Sequence, residues 1–159
     1  MTNATTLMGC STAHVATTLG HLREAGALYQ ECVVLWLGRP SAQGIEVVSV
    51  YRPQQRAAAD MFHIPPESMA ALRATLRRER VMVAAQVHSH PREAFHSLAD
   101  DRWAIVRHVG ALSLVVPEFA AHTRVDTFLE HTKVFRFSPS AHWHEVPAAE
   151  VGSTCLQLR

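Results

Sequence analysis

Cysteine is scarce in this sequence: Cys10, Cys32 and Cys155 are the three in 159 residues. An odd number without ligand spacing excludes a disulfide framework and a cysteine-built metal module, and points to reduced thiols. Long apolar runs are missing too, and none reaches the roughly 18 residues that span a bilayer. The opening Met-Thr-Asn-Ala-Thr-Thr-Leu-Met lacks the basic start and apolar stretch of a signal peptide, so a cytoplasmic location and no membrane association are expected. Neither sign of charge dominates: the formal net charge is +1, which offers no case for nucleic acid. The arginines at 73, 77, 78 and 80 surround one predicted helix and read as a solvated face. With no internal repeat, low-complexity tract or linker, residues 1–159 are expected to form a single domain.

What is present is 48% hydrophobic sequence, ample for a core, and eleven histidines, a high count for a domain of this size. Ser11 to Ala25 reads as a first helix, because Val15, Leu19 and Leu22 recur at i, i+4 and i+7 and Gly26 follows. The apolar run Cys32 to Leu37, ended by Gly38-Arg39-Pro40, reads as a buried strand, hairpin-paired to a second strand at Ile45 to Tyr51. Residues 52–64 read as a loop. Pro66 suits the first turn of a helix whose stripe is Met69, Leu72 and Leu76. Strand Val81 to Val87, a helix from Ser97 to about His108, strand Ala111 to Val116, and closing strands at Phe128–Phe137 and Trp143–Val146 complete the order, with 117–126 ambiguous. The fold class predicted is α/β, a mixed β-sheet flanked by helices.

The run His88-Ser89-His90-Pro91, followed by Ser97-Leu98-Ala99-Asp100, carries the chemistry. It stands at the end of the apolar stretch Val81 to Val87. Residues i and i+2 of a strand point to one face, about 6.6 Å apart along it. Two neutral imidazoles on one face, with a carboxylate returning ten residues later, can make a three-ligand zinc site with an open fourth position. An open position holds a water and suggests hydrolysis. Each residue also has a plainer reading. Ser97 with an acidic residue three positions on resembles a helix capping box, and that role is compatible with chemistry because a capped start fixes where the Asp points. Glu31 heads the buried strand and is either inert at its edge or a general base.

The pattern of an upstream Glu, then His-Ser-His-Pro, then Ser-x-x-Asp resembles the JAMM (JAB/MPN+) family of zinc isopeptidases, and the resemblance runs from about residue 10 to 146. It implies a JAMM/MPN-like fold with a cytidine-deaminase-like core and a Zn²⁺ cofactor held by His88, His90 and Asp100. It further implies Glu31 as general base and Ser97 as donor to the bound water or to the oxyanion. The family pattern has seven residues between the second His and the Ser, and this chain has six, Pro91 to His96. Counted from His90, the third ligand would be Asp101; counted from Ser97, it is Asp100, which is preferred because Ser-x-x-Asp on one helical turn is the tighter constraint. Val34 stands where the family often has Gly. The resemblance, closest to compact bacterial deubiquitinase-like members, implies cleavage after the C-terminal tail of ubiquitin or a ubiquitin-like protein. The partners it implies are that protein or its conjugates, together with activating and conjugating enzymes of the same pathway.

Several alternatives stay open. His96 could complete an all-imidazole site and leave Asp100 as a supporting group, although support for a ligand is its better role. Glu24 rivals Glu31 but falls on the first helix. His142 and His144 flank Trp143 with no third ligand in view. Cys32 opens an apolar strand, where a thiol is inert, and as the neighbour of Glu31 it points to the opposite face. The rival functions are hydrolysis of a different amide or peptide conjugate and a metal-free scaffold module; retention of every ligand argues against the second.

Overall fold

A computed structural model describes residues 6–97, 100 and 104–159. Among the described residues ten strands and four α-helices follow one another: β1 (Leu7–Cys10), α1 (Thr12–Gly26), β2 (Val33–Ser41), β3 (Gly44–Tyr51), β4 (Arg56–Ala58), β5 (Met61–His63), α2 (Pro66–Glu79), β6 (Met82–Ser89), β7 (Leu112–Val116), α3 (Phe128–His131), β8 (Lys133–Phe137), β9 (Trp143–Val146), α4 (Ala148–Thr154) and β10 (Leu156–Leu158). Eight strands form one sheet in the order β10-β1-β3-β2-β6-β7-β8-β9, and β4 and β5 form a separate hairpin. The sheet is mixed: β6 runs parallel to β7, and β1 runs parallel to both neighbours. The pairs β2–β3, β2–β6, β7–β8 and β8–β9 are antiparallel. This is the α/β architecture expected from the alternation of apolar runs and helical stripes.

Both faces of β2 are covered, which is why its sequence is continuously apolar rather than alternating. Val34 and Trp36 join Val15, Leu19 and Leu22 of α1 in the larger core. Val33, Leu35 and Leu37 face the other way, against Leu72, Met69 and Leu76 of α2. The Trp36 indole N–H donates to Thr18 Oγ1 at 2.9 Å, and that hydroxyl donates to the His14 carbonyl, so the ring is buried without an orphan donor. Ser11 caps α1, its hydroxyl accepting from the His14 N–H. Pro66 opens α2 as expected, and the last turn closes on Arg80 in the left-handed region.

The structure corrects several readings. Gly38 does not close β2. The strand runs on to Ser41, and its register against β3 shifts between Leu37 and Gly38. A Cβ at Gly38 would lie 2.7 Å from Ile45 Cγ2 and 2.9 Å from the Glu46 carbonyl, so the glycine serves close approach at a bulge. Residues 52–64 contain the β4–β5 hairpin, which polar and alanine-rich sequence concealed. Phe128–Phe137 is not one strand: Phe128–His131 is helical and buries Phe128 against Trp36, with ring centroids 6.1 Å apart. Of the helix expected from Ser97 to His108, Asp100 is helical and 104–108 are not, while residues 98, 99 and 101–103 lie outside the described residues. Strands β1 and β10 and helix α4 were not legible. Too short for periodicity, they are held by neighbours, with Arg159 N–H donating to the Cys10 carbonyl and Arg159 pairing with Glu46 at 2.8 Å.

Candidate metal centre

The end of β6 is the place where a side chain can leave the sheet while its backbone stays fixed. Val33 of β2 pairs with His88 and Val116 of β7 with Ser89. Beyond the strand, His90 N–H donates to the Val116 carbonyl and Phe119 N–H donates to the His90 carbonyl, so His90 is held on both sides. Ser89 points away from the two imidazoles, as strand alternation demands. Its N–H donates to the Cys32 carbonyl and its hydroxyl accepts from the Cys32 N–H, both at 3.1 Å. The serine between the histidines thus ties their strand to the backbone one residue after Glu31.

His88, His90 and Asp100 converge. Nε2 of His88 lies 3.2 Å from Nε2 of His90, and each ring nitrogen lies 3.2 Å from a different Asp100 oxygen. Among the described residues they form a buried group whose ligand atoms all fall within 4.8 Å of one another. Tetrahedral zinc with bonds of about 2.0–2.1 Å needs donors about 3.3 Å apart. The donor chemistry and spacing therefore fit a single ion of this kind, with a fourth position left to a small molecule. Asp101, the fallback ligand, lies outside the described residues. Ser97 and Asp100 form reciprocal cap bonds: Ser97 N–H donates to Asp100 Oδ2 at 2.8 Å, and Asp100 N–H donates to Ser97 Oγ at 3.0 Å. That geometry fixes the carboxylate and leaves the Ser97 hydroxyl proton to be given elsewhere.

The electrostatics follow from crowding. Burial works to raise the Asp100 carboxyl, but hydrogen bonds from both imidazoles and the Ser97 N–H hold it well below the usual carboxylate range. Burial works to lower His90, yet Asp100 and Glu31 hold it above its ordinary value, and its ring also hydrogen-bonds the Glu93 backbone. Glu31 is only 5% exposed. Its burial pushes the carboxyl up to about 7, with His90 opposing and Asp100 and Asp60 adding to the rise. A buried carboxyl near neutrality beside a metal-binding triad can both accept and return a proton. Glu24, its rival, pairs with Arg52 at 3.3 Å on an exposed surface.

The other candidates are placed elsewhere. His96 is not in the metal-binding group; its Nε2 lies 3.1 Å from Ser113 Oγ, and its ring stacks on Phe135 at 4.8 Å. His142 and His144 meet each other edge to face at 6.4 Å. The Cys32 thiol is buried, and burial pushes its pKa up, against a nucleophilic role. Four residues around the centre escaped the sequence reading. Phe62 packs on His88 at 5.7 Å and the exposed Phe95 on His90 at 4.6 Å. Gln86 and Ser113 are buried beneath the site, and their polarity inside two apolar strands was the available signal.

An α/β sheet that delivers two histidines from a central strand end and a carboxylate from the following loop, beside a buried glutamate, defines a candidate metallohydrolase. Residues 12–128 match the family described as prokaryotic homologs of the JAB domain, and the chain belongs to that family. It is 34% identical over 139 residues to "Probable metalloprotease y4jG" of Sinorhizobium fredii (strain NBRC 101917 / NGR234), covering 85% of this chain and 84% of that protein. The solution structure of protein DSY2949 from Desulfitobacterium hafniense has a similar fold, with a TM-score of 0.69 at 19% identity over 96% of this chain and 93% of that one.

Proposed function

We propose that this protein is a zinc-dependent peptidase or isopeptidase that cleaves after the C-terminal tail of ubiquitin or a ubiquitin-like protein, in the cytoplasm of a bacterium with such a conjugation pathway. One observation carries the catalytic part: three donors about one tetrahedral edge apart, next to a buried carboxyl poised near neutrality. The name of the metalloprotease relative agrees with it. The substrate part rests on the motif's resemblance to the zinc isopeptidases.

His88, His90 and Asp100 would hold the ion. An ion held there would supply Lewis acidity to the reacting carbonyl and the attacking water. Glu31 takes the proton from the attacking water and delivers it to the departing amine. Ser97 donates its hydroxyl proton to the oxygen that gains charge, while its own oxygen stays oriented by the Asp100 N–H. The substrate tail lies extended beside the centre, recognised through its main chain by strand addition. The ubiquitin-like protein and its conjugates are the partners, with the activating and conjugating enzymes acting upstream.

Glu31→Gln tests this reading. The amide nearly matches the carboxyl in shape but accepts no proton, so zinc and fold should persist while turnover falls roughly 10²–10⁴-fold. Turnover is read with a fluorogenic ubiquitin-like conjugate and zinc by elemental analysis. Cleavage at the wild-type rate would remove Glu31 as the base. Loss of zinc would make it a ligand. Intact zinc in a wild-type protein that cleaves other peptide amides and no ubiquitin-like tail would overturn the substrate assignment alone.

A further inference from the structure

Two of the three residues proposed to hold the metal are placed by the sheet, because His88 lies in the last two residues of β6 and His90 directly follows the strand. Asp100 stands instead in the long connection between β6 and β7. Its cap bonds with Ser97 are local, and fix the carboxylate to its own loop rather than to the histidines. Something must hold that loop to the sheet.

A buried polar pair occupies the right place. Gln86 and Ser113 are register partners on β6 and β7, 2% and 0% exposed, with apolar neighbours on either side in each strand. Gln86 lies two residues before His88 and shares its face. Gln86 Oε1 accepts from the Ile105 N–H at 2.8 Å, five residues after Asp100. Gln86 Nε2 donates to Ser113 Oγ at 3.1 Å. Ser113 Oγ in turn lies 3.1 Å from Nε2 of His96, four residues before Asp100. Ile105 N–H can only donate, so the Gln86 oxygen faces it and the Gln86 amine faces Ser113, whose oxygen accepts there. The direction of the bond between Ser113 and His96 follows the imidazole tautomer. The His96 ring is also packed between Phe135 at 4.8 Å and Trp143 at 5.4 Å.

We infer that Gln86, Ser113 and His96 form a polar clamp that holds the β6–β7 connection at Ile105 and His96, on either side of Asp100, and so positions the third metal ligand. They are positioning residues: none belongs to the group of His88, His90 and Asp100, although the His96 ring meets that of His88 edge-on at 6.4 Å, and they act through Asp100. A buried amide and hydroxyl in apolar strands would be unfavourable without partners, and here the two ends of the chain of bonds fall on Ile105 and His96, on either side of Asp100. The inference rests on the metal-centre reading above.

The test is a competition titration of the metal-free proteins with Zn²⁺ against a chromophoric chelator. Co²⁺ absorption reports ligand geometry, and circular dichroism reports folding. Ser113→Ala removes one oxygen, and His96→Phe keeps a ring against Phe135 and Trp143 but loses the bond. Each should raise the zinc Kd roughly 10–100-fold, the effect typical of groups that orient a metal ligand, and should alter the Co²⁺ spectrum. Leu19→Ala, a core variant on α1 in the cluster on the other face of the sheet, should lower the melting temperature yet leave the Kd close to wild type. Wild-type Kd and spectrum in both clamp variants would overturn the inference, as would equal Kd changes in Leu19→Ala. If the wild-type protein binds neither Zn²⁺ nor Co²⁺, the metal-centre reading itself fails, and the clamp with it.

Discussion

At the scale of single residues, Ser89 shows how an unreactive side chain serves the centre. Its main-chain and side-chain bonds to Cys32 tie the strand that carries the two histidines to the residue after Glu31, and Glu31 interacts with His90. Ser89→Ala leaves the buried Cys32 N–H without its acceptor, at a cost of about 1–3 kcal/mol. Urea unfolding should report that loss. Activity should fall while zinc content persists, because His88 and His90 keep their strand. His88→Ala and Asp100→Ala differ in kind: each removes a donor, and elemental analysis should show most of the zinc gone. Whether Asp100 or Asp101 is the ligand is decided by comparing their alanine variants in the same assay.

At the scale of elements, β2 and β6 form the platform on which the centre stands. Each residue of β2 from Val33 to Leu37 is buried against one helix layer or the other. Leu35→Ala should therefore cost about 2–5 kcal/mol, read as a lower urea midpoint with little change in slope. Much of this level was legible. A buried strand, a hairpin partner, a proline-started helix and a strand ending in His-x-His are all patterns of consecutive residues. Phe128–His131 was misread because an apolar stretch carries no mark of helix or strand when it is only one turn long. The β4–β5 hairpin was missed for the opposite reason, since its strands are three residues each and largely exposed.

At the scale of the whole molecule, a metal at this centre joins the strand end to the connecting loop, so binding and folding are coupled. Zinc at 100 times its Kd should stabilise the fold by about 2.7 kcal/mol. Phenanthroline should lower the melting temperature and abolish hydrolysis, and added zinc should restore both. Thiol alkylation of the native protein should change neither. All three cysteines are buried, and burial raises each thiol pKa, that of Cys10 to about 12. Among the described residues no helix is long and apolar enough to cross a membrane.

The sequence by itself determined the order of most of the main elements and pointed to His88, His90 and Asp100 as the candidate metal-binding set, because both are written in local spacing. His-x-His is a statement about one strand, and Ser-x-x-Asp about one turn. Only the tertiary structure decided that Asp100 reaches both imidazoles, that Glu31 is buried beside them with a raised proton affinity, and that Gln86 and Ser113 face the loop rather than the core. Those facts depend on the pairing of β2 with β6 and of β6 with β7, contacts between segments some 25 to 55 residues apart. Long-range register is set by how the whole set of apolar faces packs at once, and no local window of sequence contains it.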